Sequence, residues 1–359
     1  MSGASLEQWI NGIQVAVTSP VNVFALDVYT LVPVLVIWFG IFLALLTTAC
    51  FSVVRMIAHF PRAVLKPEEF YQTASRENNS AENFRLPQTS SDPTVFLTVV
   101  VPAFNEASRL PGMLTEAVST LKAWHLADSE KTWEILVVND GSTDNTTPEA
   151  LKVGAQVCDK SHQLKVCTLQ QNRGKGGAVG HGMRYAAGKY IIFADADGAS
   201  KFSDVKSLFT KLSGIQQDGR GVAIGSRAHM VTSDAVVKRS YVRNFLMHSL
   251  HTLLYVFGIR TIRDTQCGFK IFTRQAARDI FPYMHNEGWI FDVEVLILAE
   301  RKKIKIVEVP ISWHEVPGSK MELARDSIKM ALDLVTIRFA YFFGIYNDGR
   351  GSKKFQKVD

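Results

Sequence analysis

Asp195 and Asp197 flank a single alanine directly after the apolar run YIIFA (190 to 194). Two hard carboxylates set beyond a buried strand can hold Mg²⁺ or Mn²⁺ against a diphosphate, and a cation there neutralises the charge that grows on a departing diphosphate. An isolated D-x-D triplet carries little information by itself. Its neighbours add weight. The chain also offers Pro102-Ala103-Phe104-Asn105-Glu106 after VFLTVVV (95 to 101), Asn139-Asp140-Gly141-Ser142-Thr143-Asp144 after WEILVV (133 to 138), and Asn172-Arg173-Gly174-Lys175-Gly176-Gly177 after KVCTL (165 to 169). One Asp-Gly is ordinarily a turn, but polar clusters at the ends of four successive apolar runs exceed what turning requires.

The third cluster belongs to the loop QNRGKGGAVGHG. It lacks the order of a P-loop, and its glycines miss the spacing of the dinucleotide fingerprint. What remains is a glycine-rich helix entrance in which Lys175 and backbone N–H groups can approach an anion. A plain tight turn explains the same residues equally well.

Such groups need a scaffold that brings them together. The four apolar runs and a fifth, GVAIG (221 to 225), are short, β-branched and mostly followed by helical stretches. Continuous apolar strands separated by helices indicate a mostly parallel sheet covered on both faces, and such sheets bind ligands beyond the carboxyl ends of their strands. The predicted architecture is α/β, and the polar clusters fall where its ligand site must lie.

The chain has 359 residues, 47% of them apolar, and a formal charge of +6. That charge suits anionic partners without choosing between nucleic acid, a lipid surface and a phosphorylated substrate. From Val28 to Val54 no residue is charged, enough helix to cross about 30 Å of hydrocarbon. The run is too long and starts too late for a cleaved signal peptide, so a signal-anchor transmembrane helix is expected. Arg55, Arg62 and Lys66 follow it, whereas only Glu7 and Asp27 precede it. The positive-inside rule then leaves residues 1–27 as a short lumenal N-terminus and places everything after the span in the cytosol. Scattered cysteines without zinc spacing agree with a reducing compartment, and the sequons at Asn78 and Asn145 matter only if the domain is lumenal. Residues 55–93 are polar and aperiodic, and are expected to form a juxtamembrane linker. The catalytic domain is expected over 94–320 and a C-terminal interfacial helix and tail over 321–359.

Together VVVPAFNE, VVNDGSTDNT, NRGKGGA and ADADG resemble the nucleotide-sugar-binding half of glycosyltransferase family 2, whose fold is termed GT-A. GSRAHM, VKRSYVRNF, DTQCGFKIF and GWIFDVEVL continue the likeness, which covers roughly residues 95 to 320. It implies a Rossmann-like GT-A catalytic domain, to which the sequence pattern adds one N-terminal transmembrane helix and C-terminal amphipathic membrane-surface helices. Within the family the likeness is to members that make dolichyl β-D-glucosyl phosphate from UDP-glucose at the endoplasmic reticulum, for N-glycosylation. By that resemblance Pro102, Phe104, Glu106 and Asp140 line the uridine pocket, Asp195 touches the ribose or the sugar, Asp197 binds the metal, and the sugar inverts.

The acceptor end is expected in VKRSYVRNFLMHSLHTLLYVF, where Arg239 and Arg243 lie four apart beside an apolar stripe. With Arg227 they can clamp a lipid phosphate through bidentate bonds, although a solvated basic helix face is the bland alternative. A phosphate acceptor is already ionised near neutral pH, so alignment and leaving-group stabilisation matter more than a strong base. Asp264 and Asp292 are the carboxylates expected to act catalytically as positioning groups, though each could equally hold an arginine or cap a helix. Near the C-terminus Ile328, Leu332, Val335, Phe339 and Phe342 recur at helical spacing, while Lys329, Asp333 and Arg338 argue against a second span. An interfacial or domain-packed helix is expected there.

The nearest rival enzyme transfers mannose from GDP-mannose to the same lipid. A processive polysaccharide synthase would need several further spans. A non-catalytic membrane scaffold would have no use for Asp195, Asp197, Lys175 and the arginine set together, and no recognisable nucleic-acid module is present.

Overall fold

The computed structural model describes residues 28–73, 83–230, 262–318 and 322–350. It divides into two units, Met1–Met56 and Ile57–Asp359. Helix α1, Val28–Ile57, makes up most of the first. Its stretch Val32–Ile57 has a mean hydropathy of 2.5 and is long and apolar enough to cross a membrane. At 1.5 Å per residue its 30 residues span about 45 Å.

Among the described residues the second unit holds a nine-stranded sheet in the order β2-β1-β5-β4-β3-β6-β8-β7-β9. The strands are β1 (Phe70–Gln72), β2 (Asn83–Arg85), β3 (Val95–Ala103), β4 (Trp133–Asn139), β5 (Leu164–Thr168), β6 (Gly188–Ala194), β7 (Val222–Ser226), β8 (Phe269–Thr273) and β9 (Ile306–Pro310). The five runs read from sequence are β3 to β7. β5, β4, β3 and β6 are parallel neighbours, with Val101 opposite Val137 and Val99 opposite Ile192. Helices α2 (Leu110–Ala127), α3 (Thr146–Val157), α4 (Lys175–Arg184) and α5 (Val205–Ile215) follow β3, β4, β5 and β6 in turn. Their apolar faces bury against the sheet: Leu114, Val118 and Leu121 of α2 and Leu208 and Leu212 of α5 join Leu97, Val99 and Val101 in one core. Fully burying each such side chain contributes about 1.5–3 kcal/mol.

β8 runs antiparallel to both β6 and β7. That reversal is decisive for the site, because the loop before β8 reaches the same sheet end as the loops after β3, β4 and β6. Helices α6 (Arg274–Ile280), α7 (Phe291–Arg301) and α8 (Leu323–Phe342) complete the unit. Met330, Leu334, Ile337 and Tyr341 of α8 are buried, while Ile328, Leu332, Phe339 and Phe342 are 57%, 63%, 37% and 78% exposed. The stripe read from sequence therefore faces outward, and a different face packs the domain.

The linker expected over 55–93 differs from the structure. β2 pairs with β1, and β1 pairs with β5, so this stretch extends the sheet edge. Three-residue edge strands are too short to show a period of two, which is why a polar composition concealed them.

Candidate active site

The polar clusters meet where the parallel strands end. After β4, Asp140 accepts the backbone N–H groups of Arg173 (2.7 Å) and Gly174 (2.9 Å). Burial pushes its carboxyl up to about 7, against the pull of those two donors. After β3, Glu106 holds Arg109 through Nε (2.7 Å) and Nη2 (2.5 Å), and its own N–H donates to Thr146 Oγ1 at 2.8 Å. Phe104 beside it is 36% exposed, and Pro102 stands opposite Val138 on β4.

After β6, Lys175 Nζ lies 2.6 Å from Asp195 Oδ1. Burial alone would pull Lys175 down, yet Asp195, Asp292 and Asp197 together hold it above its ordinary value. Asp197 accepts the Ala199 N–H at 3.0 Å and stands 4.0 Å from Arg109 Nη1. Burial first, and the neighbouring Asp195 second, raise its carboxyl. Two carboxylates that repel each other at a half-open rim are a donor set for a hard cation. Among the described residues no third His, Cys, Asp or Glu completes a cluster with them. The chain thus offers what Mg²⁺ commonly takes, one or two carboxylates with the remaining positions left to substrate phosphate and water.

The loop before β8 closes the other side. A Cβ on Gly268 would overlap the Asp195 carboxylate, so only glycine lets Asp195 lie there. Asp264 grips Arg227 through Nε (2.7 Å), Nη2 (2.9 Å) and the backbone N–H (2.9 Å), and the Arg227 guanidinium packs 5.5 Å from the Trp313 ring. Burial opposes charge on both partners. Their contact outweighs it, leaving Arg227 raised and Asp264 lowered. This pairing takes one edge of the guanidinium, Nε with Nη2, and leaves the Nη1 edge turned the other way.

Asp292 is engaged by a buried lysine and bears on the site through Lys175. It is 3% exposed, in the first turn of α7, and pairs with Lys270, which is fully buried and also donates to Cys267 O at 2.8 Å. Burial raises the Asp292 carboxyl, and Lys270 opposes that. Asp264 likewise holds an arginine. Arg239 and Arg243 lie outside the described residues.

Sequence reasoning passed over Arg109, Lys270 and Trp289. Arg109 bridges Glu106, Asp197 and Pro317 O (3.4 Å), and only its position three after Glu106 in the sequence hinted at that. Trp289 lies with its ring 5.9 Å from Lys175 Nζ. Lys270 reads as one charge within a β-strand, and nothing in its neighbours marks it as buried.

The sequence profile of Glycosyl transferase family 2 matches residues 98–281, a stretch that contains Glu106, Asp140, Lys175, Asp195, Asp197, Arg227 and Asp264. The chain belongs to glycosyltransferase family 2. Similar family 2 members include the dolichyl-phosphate beta-glucosyltransferase of Saccharomyces cerevisiae, 51% identical over 86% of this chain and 94% of that protein. The Drosophila melanogaster protein of that name is 43% identical over 75% and 82%, and the Homo sapiens one 41% over 78% and 84%. Among solved structures, glucosyl-3-phosphoglycerate synthase from Mycobacterium tuberculosis with UDP gives a TM-score of 0.47 at 19% identity, covering 68% of this chain and 81% of that one, a likeness too distant to carry an argument.

Proposed function

We propose that this chain transfers glucose from UDP-glucose to dolichyl phosphate with inversion, giving dolichyl β-D-glucosyl phosphate for N-glycosylation. The observation that carries the reading is the assembly of Asp140, the Lys175–Asp195 pair, Asp197 and Arg227 at one sheet end. Relatives of that name at 51% identity over most of the chain agree with it.

Asp140 and Glu106 lie at the ends of adjacent strands, where a uracil ring can be held between them with Phe104 alongside. Lys175 lies against the donor side of Asp195 and neutralises charge there. Asp195 and Asp197 would hold Mg²⁺ or Mn²⁺, whose chemistry is to offset the charge that develops on departing UDP. Arg227, kept charged and fixed in direction by Asp264, turns its remaining N–H groups to the acceptor phosphate, and Arg239 and Arg243 add to this clamp. A phosphate oxygen needs no strong base, so these residues act by alignment and electrostatic stabilisation. The protein is anchored by α1 in the endoplasmic reticulum membrane with the domain in the cytosol, and the outward stripe of α8 meets the bilayer surface, where the lipid acceptor resides.

Transfer of radiolabelled sugar to dolichyl phosphate by detergent-solubilised protein tests the reading. Labelling from UDP-glucose, lost with chelator, is expected. Labelling from GDP-mannose alone would overturn the donor, and none from either, in folded protein, would overturn the activity.

Asp140 also sets a pH dependence. Its ionised form accepts a hydrogen bond from the uracil imide more strongly than the carboxylic acid does, so the donor KM should rise as pH falls through about 7. Between pH 8 and pH 6 the increase should reach at most about tenfold. A donor KM flat across this range would remove Asp140 from the base pocket.

A further inference from the structure

Gly174 before α4 and Gly176 and Gly177 in its first turn do not leave an open cradle. A Cβ on Gly174 (φ +86°) would fall 2.6 Å from Glu287 O, and one on Gly176 would fall 2.6 Å from Phe291 Cβ and 2.8 Å from Asn286 O. Gly177 N–H donates to Glu287 O at 3.1 Å. The backbone at 286–287 is therefore pressed against the loop that carries Lys175 and whose N–H groups bind Asp140. Glu287 fixes that contact with its side chain. Oε1 accepts Arg173 Nε at 2.6 Å and also pairs with Nη2. Oε2 lies 3.2 Å from His59 Nε2. Arg173 Nη2 reaches further, to Arg62 O at 2.9 Å. Both carboxylate and guanidinium are nearly buried, at 10% and 8% exposure. His59 is two residues beyond the end of α1, and its N–H donates to Tyr346 Oη at 2.8 Å.

We infer that Glu287 is a positioning residue for the donor diphosphate, holding Arg173 and the glycine loop in register, and that His59, at the exit of the apolar helix, braces Glu287. Arg173 cannot shift without moving its own N–H and that of Gly174 off Asp140, and Lys175 next in the chain would lose its line to Asp195. A buried arginine deprived of its carboxylate seeks another partner, and Asp140, already bound to the Arg173 N–H, is the carboxylate at hand. The segment after the apolar helix is thus part of the construction of the donor site. This inference rests on the donor reading given above.

Steady-state kinetics of the full-length detergent-solubilised protein test it, with UDP-glucose and dolichyl phosphate varied in turn at pH 8. Glu287→Gln should raise the donor KM about tenfold, equivalent to about 1.4 kcal/mol, with the acceptor KM and kcat within twofold. His59→Ala, at a half-exposed position, should raise the donor KM about threefold, and the double variant should be no worse than Glu287→Gln alone. A donor KM within twofold of wild type in both variants would overturn the inference, as would equal changes in both KM values or fully additive effects. If Glu287→Gln fails to fold, His59→Ala decides by the same split. Wild-type protein inactive with UDP-glucose would instead sink the donor reading and leave the brace to be read by calorimetry with UDP and with GDP in the same variants, the nucleotide that binds wild type carrying the same expected ratios.

Discussion

Asp197→Ala is expected to lower metal-dependent glucosyl transfer by about 10³-fold, while the melting temperature barely moves. The loss follows from what the carboxylate is placed to do. Removing one preorganised group that stabilises charge developing in a transition state costs about 10²–10³ in kcat, and a group that also brings the cation should stand at the upper end. Asp195 does not substitute alone, because its Oδ1 is shared with Lys175 and a single carboxylate is then left to hold the cation. The structural cost is small. Asp197 makes one backbone hydrogen bond, to Ala199, worth about 1 kcal/mol, and its removal relieves the repulsion from Asp195 that raises its carboxyl. Initial rates with saturating Mg²⁺, alongside a thermal unfolding scan, decide the matter. Activity above a tenth of wild type, or a wild type indifferent to chelator, would sink the metal assignment.

The strands that carry these groups can be read directly, because β3 to β7 are mostly buried on both faces and appear as largely apolar runs even where Glu134, Lys165 or Lys189 falls within one. Their polar ends are legible for the same reason. β8 shows only as part of a motif, and the burial of Lys270 in FKIFT is not legible, because a buried lysine looks like a surface one until its partner is known. The partner, Asp292, is 22 residues away on another element, and no local pattern links them. The glycine loop is legible as glycine-rich, but its reason is not. Close approach of the 286–287 backbone is a tertiary fact, and it turns what looks like a phosphate cradle into a packed joint. Asp264 and Asp292 illustrate the same limit from the other side, because a carboxylate near a site has a role set by which cation reaches it, and Arg227 and Lys270 reach these two first. The short strands β1 and β2 owe their place to the pairing of Gln72 with Val166 on β5, a partner far along the chain, so no window of sequence displays them.

Asp292→Ala should destabilise the domain by about 3–5 kcal/mol, the cost of leaving a buried charge without its partner. Lys270 is fully buried beneath the site, with its ammonium held by Asp292 and Cys267 O and lying 5.3 Å from the Phe193 ring. Deleting the carboxylate leaves one carbonyl to serve a cation that cannot reach water. The apolar double replacement Lys270→Met with Asp292→Leu should recover most of that loss, because a buried ion pair contributes little net stability once both charges are absent. The comparison separates two accounts of Asp292. If its role is to neutralise Lys270, the double variant regains stability, and its remaining defect lies in Lys175, which also feels Asp292 and should then bind the donor less well. If Asp292 instead acts on substrate, Asp292→Ala would unfold with a midpoint near that of wild type and lose turnover alone. Chemical denaturation of the three proteins, read beside their donor KM, distinguishes the two, and the burial of the pair favours the first.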